Sequence, residues 1–448
     1  MSGNSAPAPR AAAADPVVGG GATQPDRLAP VAWPTVFLVG VDGAANVFDY
    51  AFHIFLGRSL SPPDFAIVQT LSAVLLIVLT AAGVWQPVVA RFAAADGGQH
   101  AYPLATLVQA YLRMALAAGA ILAVLAWLSH AMVASWLNVP PATITVTAAV
   151  LLVAFARPVV GGALQGQQRF VAFGLTRMAF AAGRLLLALI LVGAWGGGLL
   201  AALGTLPLGA GLSLALGLAF LGSAVWRHAP PLPAATRRLG WQLSAGALLA
   251  YTSYMALINL DLVWVNRLFP GDVAAGYATA VLLRRALTLL PGAVIVVVYP
   301  RVAALAARGA LPDGILIKAF LAIALPSLAI SALYFALPEP IIELSFGPAY
   351  LSAAPLLGWL GLAMTGYAVA ALWMNVFLAT RPAPFAGLLL ITAAIQSALY
   401  AWQGNTLAQI MGLFAASGWF LAIAGLILYV AWLRPTIAGA HEPGEPAQ

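Results

Sequence analysis

The chain has no cysteine, little charge and no recognisable catalytic constellation, and each absence removes a class of function. Without cysteine there are neither disulfides nor thiolate metal sites. Only 7% of its residues are charged, against roughly a quarter in soluble domains. The pI of 9.9 does not indicate nucleic acid, because no soluble domain exists to present a basic face. No segment has the spacing of a metal cluster, a nucleotide loop or a nucleophile with its base. The Gly-rich strings follow no strand, so they read as turn or helix-packing glycines rather than phosphate cradles. No enzyme activity, cofactor or ATP-driven work is expected.

What is present is hydrocarbon. The chain is 62% hydrophobic, with a mean hydropathy of +0.96. Its apolar runs are long enough to cross ~30 Å of lipid at ~1.5 Å per residue. A barrel would show ten-residue alternating segments instead. The fold class expected is an all-α polytopic membrane protein. Its twelve spans run over 33–57, 64–92, 102–128, 141–164, 169–195, 197–225, 241–267, 273–305, 312–336, 350–379, 383–402 and 406–433. Turn formers mark the breaks: Ser61-Pro62-Pro63-Asp64, Pro140-Pro141, Gly196-Gly197-Gly198, Pro270-Gly271-Asp272 and Pro338-Glu339-Pro340. Residues 1–30, rich in Ala, Pro and Gly without an apolar h-region, read as a disordered cytoplasmic tail rather than a signal peptide. Residues 434–448 read the same way.

Basic residues fix the expected orientation. With the N-terminus inside, cytoplasmic segments hold Arg10, Arg27, Arg91, Arg169, Arg227, Arg237, Arg238, Arg301, Arg308, Lys318, Arg381 and Arg434. The opposite side holds only Arg58 and Arg267. Such asymmetry places both termini in the cytoplasm. The polar stretch 226–240 divides the spans six and six. The expected parts are a lobe at 31–228, a linker at 229–240 and a lobe at 241–433. Val89-Ala90-Arg91-Phe92-Ala93-Ala94 is echoed 210 residues later, from 91 to 301, by Tyr299-Pro300-Arg301-Val302-Ala303-Ala304. Two halves in the same orientation imply a pseudo-twofold axis along the membrane normal, with a midplane site between them.

Charges inside the apolar runs are the functional signal. Asp42, Asp49 and Asp261, with Arg113, Arg157, Arg177, Arg184, Arg284 and Arg285, all lie within spans. Each costs roughly 2.5–3.5 kcal/mol at a helix centre on the cheapest scales, so such residues usually face a wet cavity. Arginine in excess of acid suggests a cavity for an anion. In span 1, Asp42, Asn46, Asp49 and His53 share one face, a stripe about 60° wide, which lines a cavity or a polar helix contact. Span 8 carries Tyr277, Val281, Arg284 and Thr288 on one face with Arg285 beside it. Arg284 lies about 18 Å from Asp272 along the helix, too deep to snorkel.

Span 5 places Arg177 and Arg184 on one side. Span 3 bears Tyr102, Thr106, Gln109 and Arg113, and Arg157 beside Pro158 reads as structural. Asn259 and Asp261 are two residues apart, so only one faces the cavity. Trp33, Trp136, Trp195 and Trp402 sit at span ends as interface anchors.

Three stretches carry a family resemblance. Leu56-Gly57-Arg58-Ser59-Leu60-Ser61-Pro62-Pro63-Asp64-Phe65, Ala163-Leu164-Gln165-Gly166-Gln167-Gln168-Arg169-Phe170, and the run from Asn259 and Asp261 through Arg267, Gly276-Tyr277 and Pro300-Arg301 form the set. Their order resembles the bacterial polysaccharide transporters and O-antigen flippases of the multidrug/oligosaccharidyl-lipid/polysaccharide exporter superfamily. The chain departs at Ala66, where that family often has glycine, and keeps the glycine at Gly276.

The resemblance implies two six-helix lobes forming a V in the bacterial inner membrane. Undecaprenyl-diphosphate-linked oligosaccharide would be flipped by alternating access for polysaccharide or lipopolysaccharide synthesis. Arg177, Arg184, Arg284 and Arg285 would hold the diphosphate, and replacing Arg284 would abolish translocation. Asp42, Asn46, Asp49 and Asp261, with Tyr277, would meet sugar hydroxyls. Asp42, Asp49 and Asp261 are the candidates for H+ or Na+ coupling. A monomer is expected, with a polysaccharide polymerase and a chain-length regulator as candidate partners. The alternatives are an ion-coupled drug exporter of the same superfamily and a membrane glycan polymerase or ligase.

Overall fold

Proline, glycine and small polar residues decide where each helical rod stops. Ser61 ends the first connection: its Oγ accepts from the Asp64 amide at 3.3 Å, with Pro62 and Pro63 opening the next helix. Thr406 and Gln409 form a reciprocal capping box at the start of the last rod. Gly222, at φ +72°, lets the chain leave the sixth rod.

The computed structural model describes residues 29–94 and 102–439, and every regular element among them is helical. Among the described residues the rods number twelve. Span 1 is Ala29–Ser59, span 2 Pro62–Ala93, span 3 Leu104–Leu128, span 4 Pro141–Gly166, span 5 Phe170–Ala194 and span 6 Leu199–Leu221. Span 7 is Ala234–Leu257 followed, after a break, by Leu260–Leu268. Span 8 is Gly271–Arg284 and Leu289–Ala307 joined by a 3-10 turn, Arg285–Thr288. Span 9 is Asp313–Ala336, span 10 Pro348–Thr380, span 11 Ala383–Gln403 and span 12 Leu407–Ile437. Short helices His130–Leu137 and Pro338–Ser345 separate spans 3 from 4 and 9 from 10. Ten rods are long and apolar enough to cross a membrane by themselves. Span 1, with its polar stripe, and the divided span 8 make up the twelve.

Most boundaries lie within about four residues of the sequence reading, and two lie further off. Span 7 starts at Ala234, ahead of 241, because Pro233 is the last residue that stops a helix there. Residues Arg434–Gly439, expected in a tail, are helical, and Arg434 Nε holds an Asp313 carboxylate oxygen at 3.0 Å. The remainder of both tails (1–28 and 440–448), with Arg10 and Arg27, lies outside the described residues, as does the Trp33 side chain.

The packing falls into two bundles. Span 5 lies against spans 1 and 6, span 4 against spans 3 and 6, and the second half of span 2 against the second half of span 4. In the other, span 10 packs on spans 8, 9 and 12, and span 7 on span 11. The first half of span 2 joins them through spans 7 and 8. Large apolar side chains such as Ile121 and Leu325, each about 60% exposed, cover the outside, as lipid requires.

Close helix approach in the second bundle depends on Gly366 and Gly418. A Cβ on Gly366 would stand 2.8 Å from the Gly418 carbonyl carbon, and one on Gly418 would meet the Tyr367 ring at 2.8 Å. Small residues permit such contacts between membrane helices. Gly418→Val is expected to cost about 1–3 kcal/mol by overpacking. Thermal unfolding in detergent checks it, with the exposed Gly412→Val as control.

Candidate functional site

In the first bundle the polar stripe of span 1 meets span 5 as a ladder. Arg177 Nε stands 2.9 Å from an Asp42 carboxylate oxygen, and one helical repeat further on Arg184 is paired with Asp49. The matching seven-residue spacings on both helices make the two rungs possible. Arg184 is buried, with its guanidinium 4.0 Å from the Phe52 ring centroid. Its partner Asp49 is 44% exposed. His53 lies 3.8 Å from Asp49 and holds the Gln69 amide through Nδ1 at 2.8 Å. The stripe is therefore both a helix contact and a cavity wall. Asn46 and Asp49, with Gln86, Arg157, Arg177 and Ser213, line a cavity of about 320 Å³ within this bundle.

Arg157, read as structural, makes structural contacts and also borders that cavity. It donates from Nε to Ser213 Oγ at 3.2 Å and lies over the Phe180 ring at 4.0 Å, on the wall of that cavity. Sequence spacing missed it because Pro158 starts a new helical segment there and resets the facing direction.

The second bundle holds a buried polar cluster. Arg284 donates to both carboxylate oxygens of Asp261, at 2.6 and 2.9 Å, and to the Ile258 carbonyl at 2.9 Å. Tyr277 donates to the same carboxylate at 2.6 Å. Phe414 covers the guanidinium at 4.0 Å. Asp261 and Arg284 are 0% and 1% exposed. Several expectations change here. Asp261 and Tyr277 spend their polar groups within this cluster and line none of the cavities described here. Arg284 borders the cavity described next, with both terminal nitrogens already bonded to Asp261 and the Ile258 carbonyl. Asp261 already holds an internal cation where a coupling ion would sit. The reason is local: the helix break at Ile258 and Asn259 turns Asp261 inward and frees a carbonyl for Arg284.

Arg285 has the opposite setting. Among the described residues no carboxylate pairs with it, and its side chain meets the Asn259 side-chain oxygen at 3.3 Å. Both residues line a cavity of about 360 Å³, with Leu76 of span 2 opposite and Tyr251, Met255, Thr288, Met364 and Met374 around it. Of the pair Asn259 and Asp261, it is Asn259 that meets the cavity. Tyr251, Ile295 and Asn375 also line a cavity of about 850 Å³ that continues to Arg91, Gln242 and Pro382 at the end bearing most of the basic loops. No Asp or Glu lines either one among the described residues. Arg184, expected to share a chamber with Arg285, is paired with Asp49 and lines neither of these cavities, whereas Arg285 has no carboxylate partner among the described residues.

Span 3 serves something else. Tyr102 bonds Thr236 at 2.7 Å, and Gln109 donates to the Val225 and Arg227 carbonyls at 2.7 and 2.8 Å. Its stripe fastens the segment between the bundles, and Arg113 is exposed. Trp195 and Trp402 are each 75% exposed at span ends, whereas Trp136 packs on Trp264 and beneath Arg267.

No family model matches the chain, and no curated protein matches it in sequence. Solved structures do. The structure of a multidrug-resistance MATE-family transporter of the MOP superfamily, inward-facing, aligns with TM-score 0.73 at 13% identity, over 90% of this chain and 96% of that one. The lipid II flippase MurJ in an inward closed conformation aligns with TM-score 0.68 at 12% identity, over 90% of each chain. A MOP-superfamily transporter from Pyrococcus furiosus, described as having a binding pocket of reversed polarity, aligns with TM-score 0.57 at 14% identity, over 93% and 96%. The chain has the fold of these transporters.

Proposed function

We propose that this chain is a flippase for diphosphate-linked lipid oligosaccharides, working by alternating access. The carrying observation is Arg285: a guanidinium without a carboxylate partner among the described residues, in a cavity that it shares with Arg284 and whose other walls are largely apolar. A planar fork suits a diphosphate by charge-assisted hydrogen bonds, and the Met and Tyr walls suit the adjoining prenyl chain. The chamber opens toward the basic end, which the lysine and arginine asymmetry assigns to the cytoplasm. Loading from the inner leaflet of the inner membrane follows.

Asp42 and Asp49, each more than 40% exposed in the first bundle, are the sites proposed for H+ or Na+ coupling. Polar groups of the same cavity, Asn46 among them, would take sugar hydroxyls. The protein would work as a monomer beside a polymerase and a chain-length regulator of the same pathway. A second reading, a drug exporter, is favoured by the likeness to the MATE structure and by those accessible carboxylates.

Binding by purified protein separates the two. A short-chain prenyl-diphosphate-linked sugar is expected to bind in competition with the free prenyl diphosphate and not with the unphosphorylated prenol. Binding of cationic dyes with none of the diphosphate would overturn the flippase reading.

A further inference from the structure

At the end away from the basic loops, each bundle reaches the other with one arginine. Arg58, in the last turn of span 1, donates from Nε to the Ser345 carbonyl at 2.9 Å and from a terminal nitrogen to that of Leu344. Those carbonyls close the short helix Pro338–Ser345 of the second bundle. Arg267, in the last turn of span 7, donates to the Trp136 carbonyl and lies over the Trp136 ring at 4.7 Å. Trp136 is at the end of the short helix His130–Leu137 of the first bundle. The two arginines are 209 residues apart, 58 and 267, close to the 210-residue echo. Each comes from the first span of its half and grips the helix between the third and fourth spans of the other.

Neighbouring groups repeat the pattern. Asn266 Nδ2 donates to the Leu137 carbonyl and Asn138 Nδ2 to that of Arg267, both at 2.7 Å. On the other side, Tyr350 donates to the Gly57 carbonyl at 2.8 Å, and Phe65 meets Phe346 and Tyr350 edge-on or tilted.

We infer that Arg58 and Arg267 form a reciprocal latch that holds the two bundles shut on this side, and that both must release before the chamber opens there. The last carbonyls of a helix lack intrahelical donors and carry the negative end of its dipole, so a cation is the matching partner. Every acceptor is a backbone carbonyl rather than a carboxylate. When the bundles part, water can satisfy both sides and no charge is stranded in a dry interior. Arg58 is exposed and Arg267 partly so, which keeps each grip weak enough to open. The latch also explains why these two arginines, and no others, stand on the side that basic residues otherwise avoid.

The inference rests on the transporter reading only for why the seal must open. Because the chain lacks cysteine, spin labels can be placed solely at Met132→Cys and Glu339→Cys, on opposite bundles at this end. Electron–electron distance measurements on full-length protein in nanodiscs supply the readout. Arg58→Ala with Arg267→Ala is expected to raise the long-distance population at least tenfold, each single change less. Arg58→Lys with Arg267→Lys, which keeps a donor for the carbonyls, should stay near the parent. An unchanged distribution in the double alanine variant, with melting temperature retained, would overturn the latch. So would lysine variants that open as far as alanine ones. Should the double variant not fold, the singles and the lysine pair decide by the same criteria. Loss of prenyl-diphosphate binding in the parent protein would sink the substrate reading and leave these distances to judge the latch.

Discussion

Asp261→Ala is expected to destabilise the fold by about 3–5 kcal/mol, because it leaves the Arg284 guanidinium buried without its counter-ion. Arg284 is 1% exposed, lies against the Phe414 ring and would keep only the Ile258 carbonyl. Tyr277 would lose its acceptor as well. Arg284→Ala strands the carboxylate and should cost a similar amount, so loss of transport in that variant would report unfolding rather than a missing ligand contact. The informative change is Asp261→Leu with Arg284→Met, which removes both charges and keeps the volume filled. It is expected to recover most of the loss, since replacing a buried ion pair by apolar groups is often neutral or better. Thermal and denaturant unfolding of the singles and the pair measure the coupling directly. If the single Asp261→Ala variant melts with the parent, the cluster is not the closed unit described above.

The second large effect falls on binding. Arg285→Ala should weaken affinity for a short prenyl-diphosphate sugar by about 10- to 100-fold. That range follows from about 1.5–3 kcal/mol for a hydrogen bond to a charged group at 1.4 kcal/mol per tenfold. Stability should hold, because the side chain gives up only a 3.3 Å contact with Asn259. Arg285→Lys should keep part of the affinity, having the charge without the planar fork. Arg177→Ala should matter less, since Asp42 already neutralises that guanidinium. Titration calorimetry on each variant provides the numbers. The decisive comparison is the paired Asp261→Leu, Arg284→Met protein, which should still bind.

Why some of this was legible and some was not is a matter of what periodicity encodes. Apolar runs report length, and the span order followed from them. The stripe through Asp42, Asn46, Asp49 and His53 reported one face of a helix, and that face is polar in the structure. A stripe carries no information about its partner, however, so the pairing of Asp49 with Arg184 and the closure of Asp261 on Arg284 were invisible. Facing directions also assume an unbroken helix. The break at Ile258 and Asn259 settles which of Asn259 and Asp261 meets the cavity, and the new segment at Arg157 carries that arginine onto a cavity wall. Tyr102 and Gln109 lined up as convincingly as the span 1 residues yet fasten a connecting segment, because nothing local separates a ligand wall from a strap.

Spans 7 and 8 are each interrupted, and Arg284 stands at the place where the interruptions meet. It grips the carbonyl released by one break and a carboxylate just beyond it, from the last helical residue before the other. Two discontinuous rods riveted at one point transmit torque instead of absorbing it. The second bundle should therefore turn as a stiff body, and the bending that the proposed alternating access requires is expected in spans 1 and 5, where Asp42 and Asp49 are each more than 40% exposed.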